Sequence, residues 1–216
     1  MPLHRPAIVG IGGFQSNIGK TTLLCELLKQ LPGWEAIKTT RGHYRSCGKD
    51  PHACCVSHLL GDNPVVHSDK EKTFVSGKDT GRYWEAGASN VHWVIATEEQ
   101  VEAGIREALD RVRAPGVLIE GNSFLSFVKV DAMFMAAGVG NRKIKASAKR
   151  ALLRSDAIVL TSVNFEAINA ADADQFSEWL GSLKLFSSSA LPAICRWQEI
   201  NEVASRICQL SDSMAA

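Results

Sequence analysis

Neither acid nor base dominates this chain. Its 24 Lys and Arg residues face 23 Asp and Glu, so no long-range field steers it toward nucleic acid or an anionic membrane. Long apolar runs are missing as well. Hydrophobic residues make up 45% of the chain, but no run approaches the roughly 20 residues of a membrane-spanning helix. Met1–Pro6 leads straight into the first apolar segment and leaves no room for a secretory signal. The expected location is therefore cytoplasmic, with no membrane and no nucleic-acid partner. In that compartment the six cysteines are reduced, metal-bound or buried rather than disulfide-paired. The chain also has no repeat, no low-complexity segment, no interdomain linker and no Ser–His–Asp set worth defending. Its 216 residues suffice for one large α/β domain spanning 1–216.

What is present is organised around Ile8–Leu24, IVGIGGFQSNIGKTTLL. Ala7–Ile11 reads as a buried strand, followed by a Gly-rich turn and then by Gly19-Lys20-Thr21-Thr22 opening an apolar helix. Strand before and helix after is the context in which such a turn binds phosphate. Turn N–H groups and the positive end of the helix favour a polyphosphate. The candidate cradle is Ser16, Asn17, Ile18, Gly19, Lys20, Thr21 and Thr22. Lys20 can reach the terminal phosphates, and the Thr21 hydroxyl can ligate Mg²⁺. The first glycine of GxxxxGK[ST] is missing: Phe14 stands in its place, with glycines at 12 and 13. The bland alternative is a strand–turn–helix with a chance GKTT.

Downstream, Lys20–Leu31 reads as a helix stopped by Pro32-Gly33, and Glu35–Thr39 as a strand. Arg41–Ser76 has little periodicity and reads as a long loop or small insert. A helix follows Gly77-Lys78-Asp79-Thr80 and stops at Gly87. Val91–Ala96 is a strand. Thr97 caps a helix that ends near Val112, with Glu98, Glu99 and Glu102 in its first turns. Val117–Gly121 is a buried strand, and Phe127–Met135 a strand of imperfect alternation. Ile144–Arg154 reads as helix, Ala157–Thr161 as strand and Ala170–Leu183 as helix. Leu191–Cys195 reads as a short strand and Gln198–Leu210 as a closing helix. This alternation implies a doubly wound, mostly parallel sheet flanked by helices, a three-layer α/β P-loop NTPase. Ligands then sit at the C-terminal ends of the strands, where the P-loop, Lys38, Thr39, Glu120 and Asn164 all fall.

Glu120 follows Val-Leu-Ile, where phosphate-loop proteins carry the acidic group that holds Mg²⁺ or orients a nucleophile. A mere turn-capping carboxylate is the alternative. The Gly77–Thr80 helix start could hold a second anion, with Lys78 and Arg82 adding charge, or could be an ordinary cap with Asp79 paired to Arg82. Asn164 lies after the Ala157–Thr161 strand, where an amide can read a purine edge. No Lys and Asp follow it, so this is not a standard guanine signature. Cys25, Cys195 and Cys208 read as core residues, and Trp84, Trp93, Trp179 and Trp197 as core or interface aromatics.

The set Phe14–Thr22, Ala36–Thr40, Gly77–Thr80 with Arg82 and Ala86-Gly87-Ala88, and Leu118–Gly121 before Val128–Val130 resembles the molybdopterin-guanine dinucleotide biosynthesis protein B (MobB) family. That family often lacks the first P-loop glycine. The resemblance implies a GTP-binding protein, usually dimeric, that assists a partner molybdopterin nucleotidyltransferase in attaching GMP, with weak or partner-dependent hydrolysis. On this likeness Gly19, Lys20 and Thr21 bind phosphates and Mg²⁺, Lys78 and Asp79 line a neighbouring anion site, and Glu120 stands near the metal. The preference for GTP over ATP rests on the likeness. The chain departs from it at Thr39, Thr40 and Arg41, where the family carries histidine, and in the length of Arg41–Ser76.

That segment holds Cys47, Cys54 and Cys55 with His43, His52, His58 and His67. Thiolate and imidazole together suit Zn²⁺ or a similar ion, with Cys47, Cys54, Cys55 and one of His52 or His58 as ligands. No repeated C-x-x-C spacing supports it, and a solvated loop with buried or free thiols is the alternative. Two further functions therefore stand beside the first. One is a small-molecule kinase whose Gly77–Arg82 region holds the acceptor. The other is a nucleotide-gated metal-delivery protein using the Cys/His insert.

Overall fold

The computed structural model describes residues 5–42, 59–162, 165–183, 185–186 and 191–215. The strands are β1 (Ala7–Gly13), β2 (Glu35–Arg41), β3 (Val65–His67), β4 (Asn90–Ala96), β5 (Gly116–Glu120), β6 (Ala132–Gly138), β7 (Ala157–Thr161) and β8 (Ala193–Arg196). They form one sheet in the order β3-β4-β2-β5-β1-β6-β7-β8. Every pairing is parallel except that of β3 with β4. The helices are α1 (Lys20–Leu28), α2 (Lys70–Thr73), α3 (Asp79–Glu85), α4 (Val101–Arg111), α5 (Ala146–Leu152), α6 (Ala170–Ser182) and α7 (Ile200–Ala215).

Parallel strands need cover on both faces, which is why β1, β5 and β7 read as near-continuous apolar runs. Two core clusters supply that cover. On one face Leu23, Leu24, Leu27 and Leu28 of α1 pack with Tyr83 of α3 and Val203, Ala204 and Ile207 of α7. On the other, Ile105 of α4, Ala148 and Leu152 of α5, and Phe176 and Leu180 of α6 do so. The result is the expected three-layer, doubly wound α/β/α architecture. After β1 the chain builds outward to β2 and β4, returns to β5, then crosses β1 to build β6, β7 and β8. The order reverses at β1, so the open crevice lies at its C-terminal end.

Several expectations are corrected. The strand expected at Phe127–Met135 is Ala132–Gly138. The amides of Phe127 and Val128 both donate to the Phe124 carbonyl, closing a 3-10 turn over Ser123–Ser126, so they are spent before the ladder begins. Asp131 then sets the register, because its carboxylate and its amide both engage the backbone of Ile8. Of the two alternatives for 41–76, a long loop or a small insert, the described part favours the insert, since it holds β3 and α2. Glu98 and Glu99 lie in a turn before α4 rather than in its first turn. Cys25 and Cys195 are buried, but Cys208 is exposed on α7 rather than part of the core. Burial pushes the Cys25 thiol up to about 11.

At the opposite end of the sheet from the crevice lies a buried polar network that the sequence pattern does not announce. Glu35 is buried at the start of β2 and contacts the fully buried His92 ring of β4 at 2.6 Å. Its other oxygen accepts the amides of Arg113 and Ala114 at 3.0 and 3.1 Å. Burial alone would raise the Glu35 carboxyl, but His92 and those amides hold it below its ordinary 4.5. A depressed carboxyl contributes stability that is complete above the unfolded value and is lost as pH falls through the folded one. Glu35→Ala leaves its donors unpaired and is expected to cost about 3 kcal/mol at neutral pH. Urea unfolding measures the loss, and the gap to the wild-type chain is expected to narrow below pH 4.5.

Candidate functional site

At the β1 crest the backbone makes a sharp turn. Asn17 sits at φ 57° and Gly19 at φ 90°, left-handed conformations that turn successive amides to one side of the loop. Glycine is required at 19 for a second reason: a Cβ there would lie 2.9 Å from the Phe165 ring. Phe14 does not block the turn. It is 1% exposed and packs into the core at 5.9 Å from the Phe176 ring and 6.4 Å from Trp179 of α6. Its amide donates to the Ala136 carbonyl, and its carbonyl accepts the Lys145 amide. The missing consensus glycine therefore leaves the cradle open, because the substituted side chain points into the core.

A cavity of about 600 Å³ opens over this turn. Ser16, Asn17, Gly19, Lys20, Thr21 and Thr22 line it from the loop and α1, Lys38 from β2, Asp79 from α3 and Glu120 from β5. Five cationic side chains (Lys20, Lys38, Arg41, Arg82 and Lys145) face two carboxylates, Asp79 and Glu120. The cavity is thus suited to an anion. Lys20 Nζ donates to the Gln15 carbonyl at 3.1 Å, arching over the loop. Burial lowers the Lys20 ammonium below 10.5, with Glu120 opposing. An entering phosphate would repay that desolvation.

Glu120 is the hub. Its Oε2 accepts Thr21 Oγ1 at 2.8 Å and the Tyr83 hydroxyl, and its Oε1 accepts Lys38 Nζ at 2.7 Å. Lys38 Nζ also contacts Asp79 at 2.6 Å. Burial works against the Lys38 charge, yet Glu120 and Asp79 hold it above 10.5. Burial likewise works against the Asp79 carboxylate, and Lys38 holds it below 3.8. By the same linkage the Asp79 contribution fades as pH falls below 3.8, and the Lys38 contribution fades as pH rises above 10.5. The bridge is charged throughout the range between. Burial, then Glu120, raises the Tyr83 hydroxyl well above 10 and keeps it a donor.

The oxygen donors Thr21, Asp79 and Glu120 have the chemistry that Mg²⁺ takes, so the residues present fit that ion. A soft-ion site is another matter. Among the described residues no group of three or more His, Cys, Asp or Glu could hold a metal. Cys47, Cys54, Cys55 and His52 lie outside the described residues, as does Asn164. Lys78 is exposed at the start of α3 and does not line the cavity. Ile18 does not line it either; its carbonyl accepts Thr161 Oγ1 at 3.2 Å. Arg82 does line it, with its guanidinium 3.0 Å from Thr22 Oγ1.

Sequence reading missed three contributors. Asn122 closes the turn by donating to the Gly13 carbonyl and accepting the Gly13 amide, at 2.9 and 3.0 Å. Lys145, entering α5, donates to Ser16 Oγ. Phe165 follows β7 at φ 57°, with its ring 4.6 Å from that of Trp197. The basic run before α5 was a visible signal for Lys145. The other two depend on chain crossings that no local pattern encodes.

Comparison with solved structures bears on the fold. HypB from Helicobacter pylori, solved in complex with nickel, superposes with a TM-score of 0.54 at 12% identity, covering 97% of this chain and 89% of that one. The two chains share one fold, a mostly parallel sheet flanked by helices. LpxK from Aquifex aeolicus, solved in complex with ATP, matches at a TM-score of 0.46 and 16% identity. It is matched over 91% of this chain, which spans only 54% of the LpxK chain. No family model and no curated protein matches the sequence. Among the described residues no helix is long and apolar enough to cross a membrane.

Tyr83→Phe removes one hydrogen bond to a buried carboxylate without changing the ring. It is expected to cost about 1.5–3 kcal/mol, measured by urea unfolding, and to leave the far-ultraviolet circular dichroism unchanged.

Proposed function

We propose that this chain binds a Mg²⁺-nucleoside triphosphate, GTP in preference to ATP, in the cavity over the β1–α1 turn. The observation that carries the reading is the open turn itself. Left-handed residues at 17 and 19 and the arched Lys20 sit at the topological reversal of a P-loop sheet. In this reading the turn amides, Lys20 and Lys145 hold the phosphates. Thr21 and Glu120 hold Mg²⁺, which when bound would neutralise charge on the terminal phosphates. In this reading the base lies toward β7, near Phe165.

The same reading makes hydrolysis slow. Glu120 already accepts three donors, and a carboxylate so engaged is a poor general base. That supports an accessory role resembling MobB: a homodimer that assists a molybdopterin nucleotidyltransferase and hydrolyses GTP weakly or only with its partner. A second reading, a small-molecule kinase, is favoured by the cationic Arg41 and Arg82, which line the cavity beyond Lys20 and Lys145. Nucleotide-gated metal delivery through Cys47, Cys54, Cys55 and His52 remains a separate proposal, tested by elemental analysis of protein purified under reducing conditions.

Calorimetric titration with GTP, ATP and their diphosphates, with and without Mg²⁺, tests the central reading. Lys20→Ala is expected to weaken triphosphate binding by about 10- to 100-fold, the equivalent of one charge-assisted hydrogen bond, with the fold intact by circular dichroism. Equal affinity in the variant would discard the assignment.

A further inference from the structure

Among the described residues, two aromatic rings line the cavity, those of Phe124 and Phe165. Phe124 is 2% exposed and belongs to the apolar core. Phe165 is partly exposed, so it is the ring that a ligand can reach. Its backbone is unusual. At φ 57° it holds a left-handed conformation that a bulky side chain adopts only under strain. The turn that imposes this is tied down. The Phe165 amide donates to the Ser162 carbonyl at 3.2 Å, and Ser162 Oγ donates to the Glu166 carbonyl at 2.8 Å. Packing alone would be served by an apolar residue in a relaxed conformation.

What the strain achieves is placement. The ring lies so close to Gly19 that a Cβ there would stand 2.9 and 3.1 Å from two of its atoms. Gly19 precedes Lys20 and caps α1, so the ring and the phosphate cradle adjoin. The Trp197 ring lies 4.6 Å from it between centroids, tilted at 47°. Trp197 itself packs against both core clusters. Phe165 is thus held by its own backbone and by a second aromatic before any ligand arrives. A fixed, apolar, reachable ring beside an anion cradle suits the flat, uncharged end of an anionic ligand.

We propose that the Phe165 ring is the platform on which the nucleobase stacks, with Trp197 holding it in place. This rests on the nucleotide reading and names the group that takes the uncharged end of that ligand. Stacking depends on the overlap of π faces rather than on a hydrogen-bonding edge. The platform therefore favours the larger purines over pyrimidines, and it leaves the choice of guanine over adenine to other groups.

Calorimetric titration of the full chain with Mg²⁺ and either GTP or inorganic tripolyphosphate separates the two ends of the site. Phe165→Ala is expected to weaken GTP binding by about 5- to 100-fold and to leave tripolyphosphate affinity unchanged. Phe165→Leu keeps most of the apolar bulk and loses the π face; it is expected to weaken GTP binding several-fold. The preference for GTP over UTP is expected to shrink in both variants. Unchanged GTP affinity in Phe165→Ala, or wild-type affinity in Phe165→Leu, overturns the proposal. So does equal weakening of GTP and tripolyphosphate, which would make the ring a prop for the loop. Tripolyphosphate binding that Lys20→Ala weakens, alongside GTP binding indifferent to Phe165, leaves the cradle standing and removes the platform alone. Failure of both probes to bind the wild-type chain removes the nucleotide reading, and the platform with it.

Discussion

The Glu120 carboxylate accepts from Thr21 of α1, Tyr83 of α3 and Lys38 of β2, and so joins three elements to the end of β5. A carboxylate this deeply buried is costly unless paired and hydrogen-bonded on both oxygens. Here both oxygens are occupied, and the ammonium that balances it also holds Asp79. The walls of the cavity are thereby set relative to the loop before any ligand arrives. Pre-set walls reduce the ordering cost of binding.

The same arrangement limits what the site can do unaided. A site that invests its acidic groups in mutual pairing has strong electrostatics and little free basicity. In the proposed reading, that balance suits holding a polyphosphate more than cleaving it. It also explains why cations outnumber carboxylates on the cavity wall while the chain as a whole is close to neutral. The charge separation is local, and it is produced by topology: strand ends that are distant in sequence converge on one edge of the sheet.

Legibility in the sequence followed the physics of each element. β1, β5 and β7 were readable because strands buried on both faces are apolar throughout. The loop context of Gly19-Lys20-Thr21 was readable because strand, turn and helix are contiguous. β3 and α2 were not, since three and four residues carry too little periodicity to stand out. β6 was displaced because Phe127 and Val128 are apolar but spend their amides on a 3-10 turn. Cys208 was misjudged because a helix position does not say which way the helix faces its neighbours.

What the sequence determined by itself was the three-layer α/β class, the sharp turn between the first strand and helix, and the placing of Lys38 and Glu120 at strand ends. These depend on local pattern, which is written in contiguous residues. Tertiary structure alone decided that Phe14 turns into the core, that Asn122 closes the loop and that Tyr83 and Lys38 share Glu120. It also decided that Arg82 faces the cavity while Lys78 does not. Those outcomes depend on packing between residues far apart in the chain, where burial and hydrogen-bond satisfaction choose among side-chain directions that local pattern leaves open.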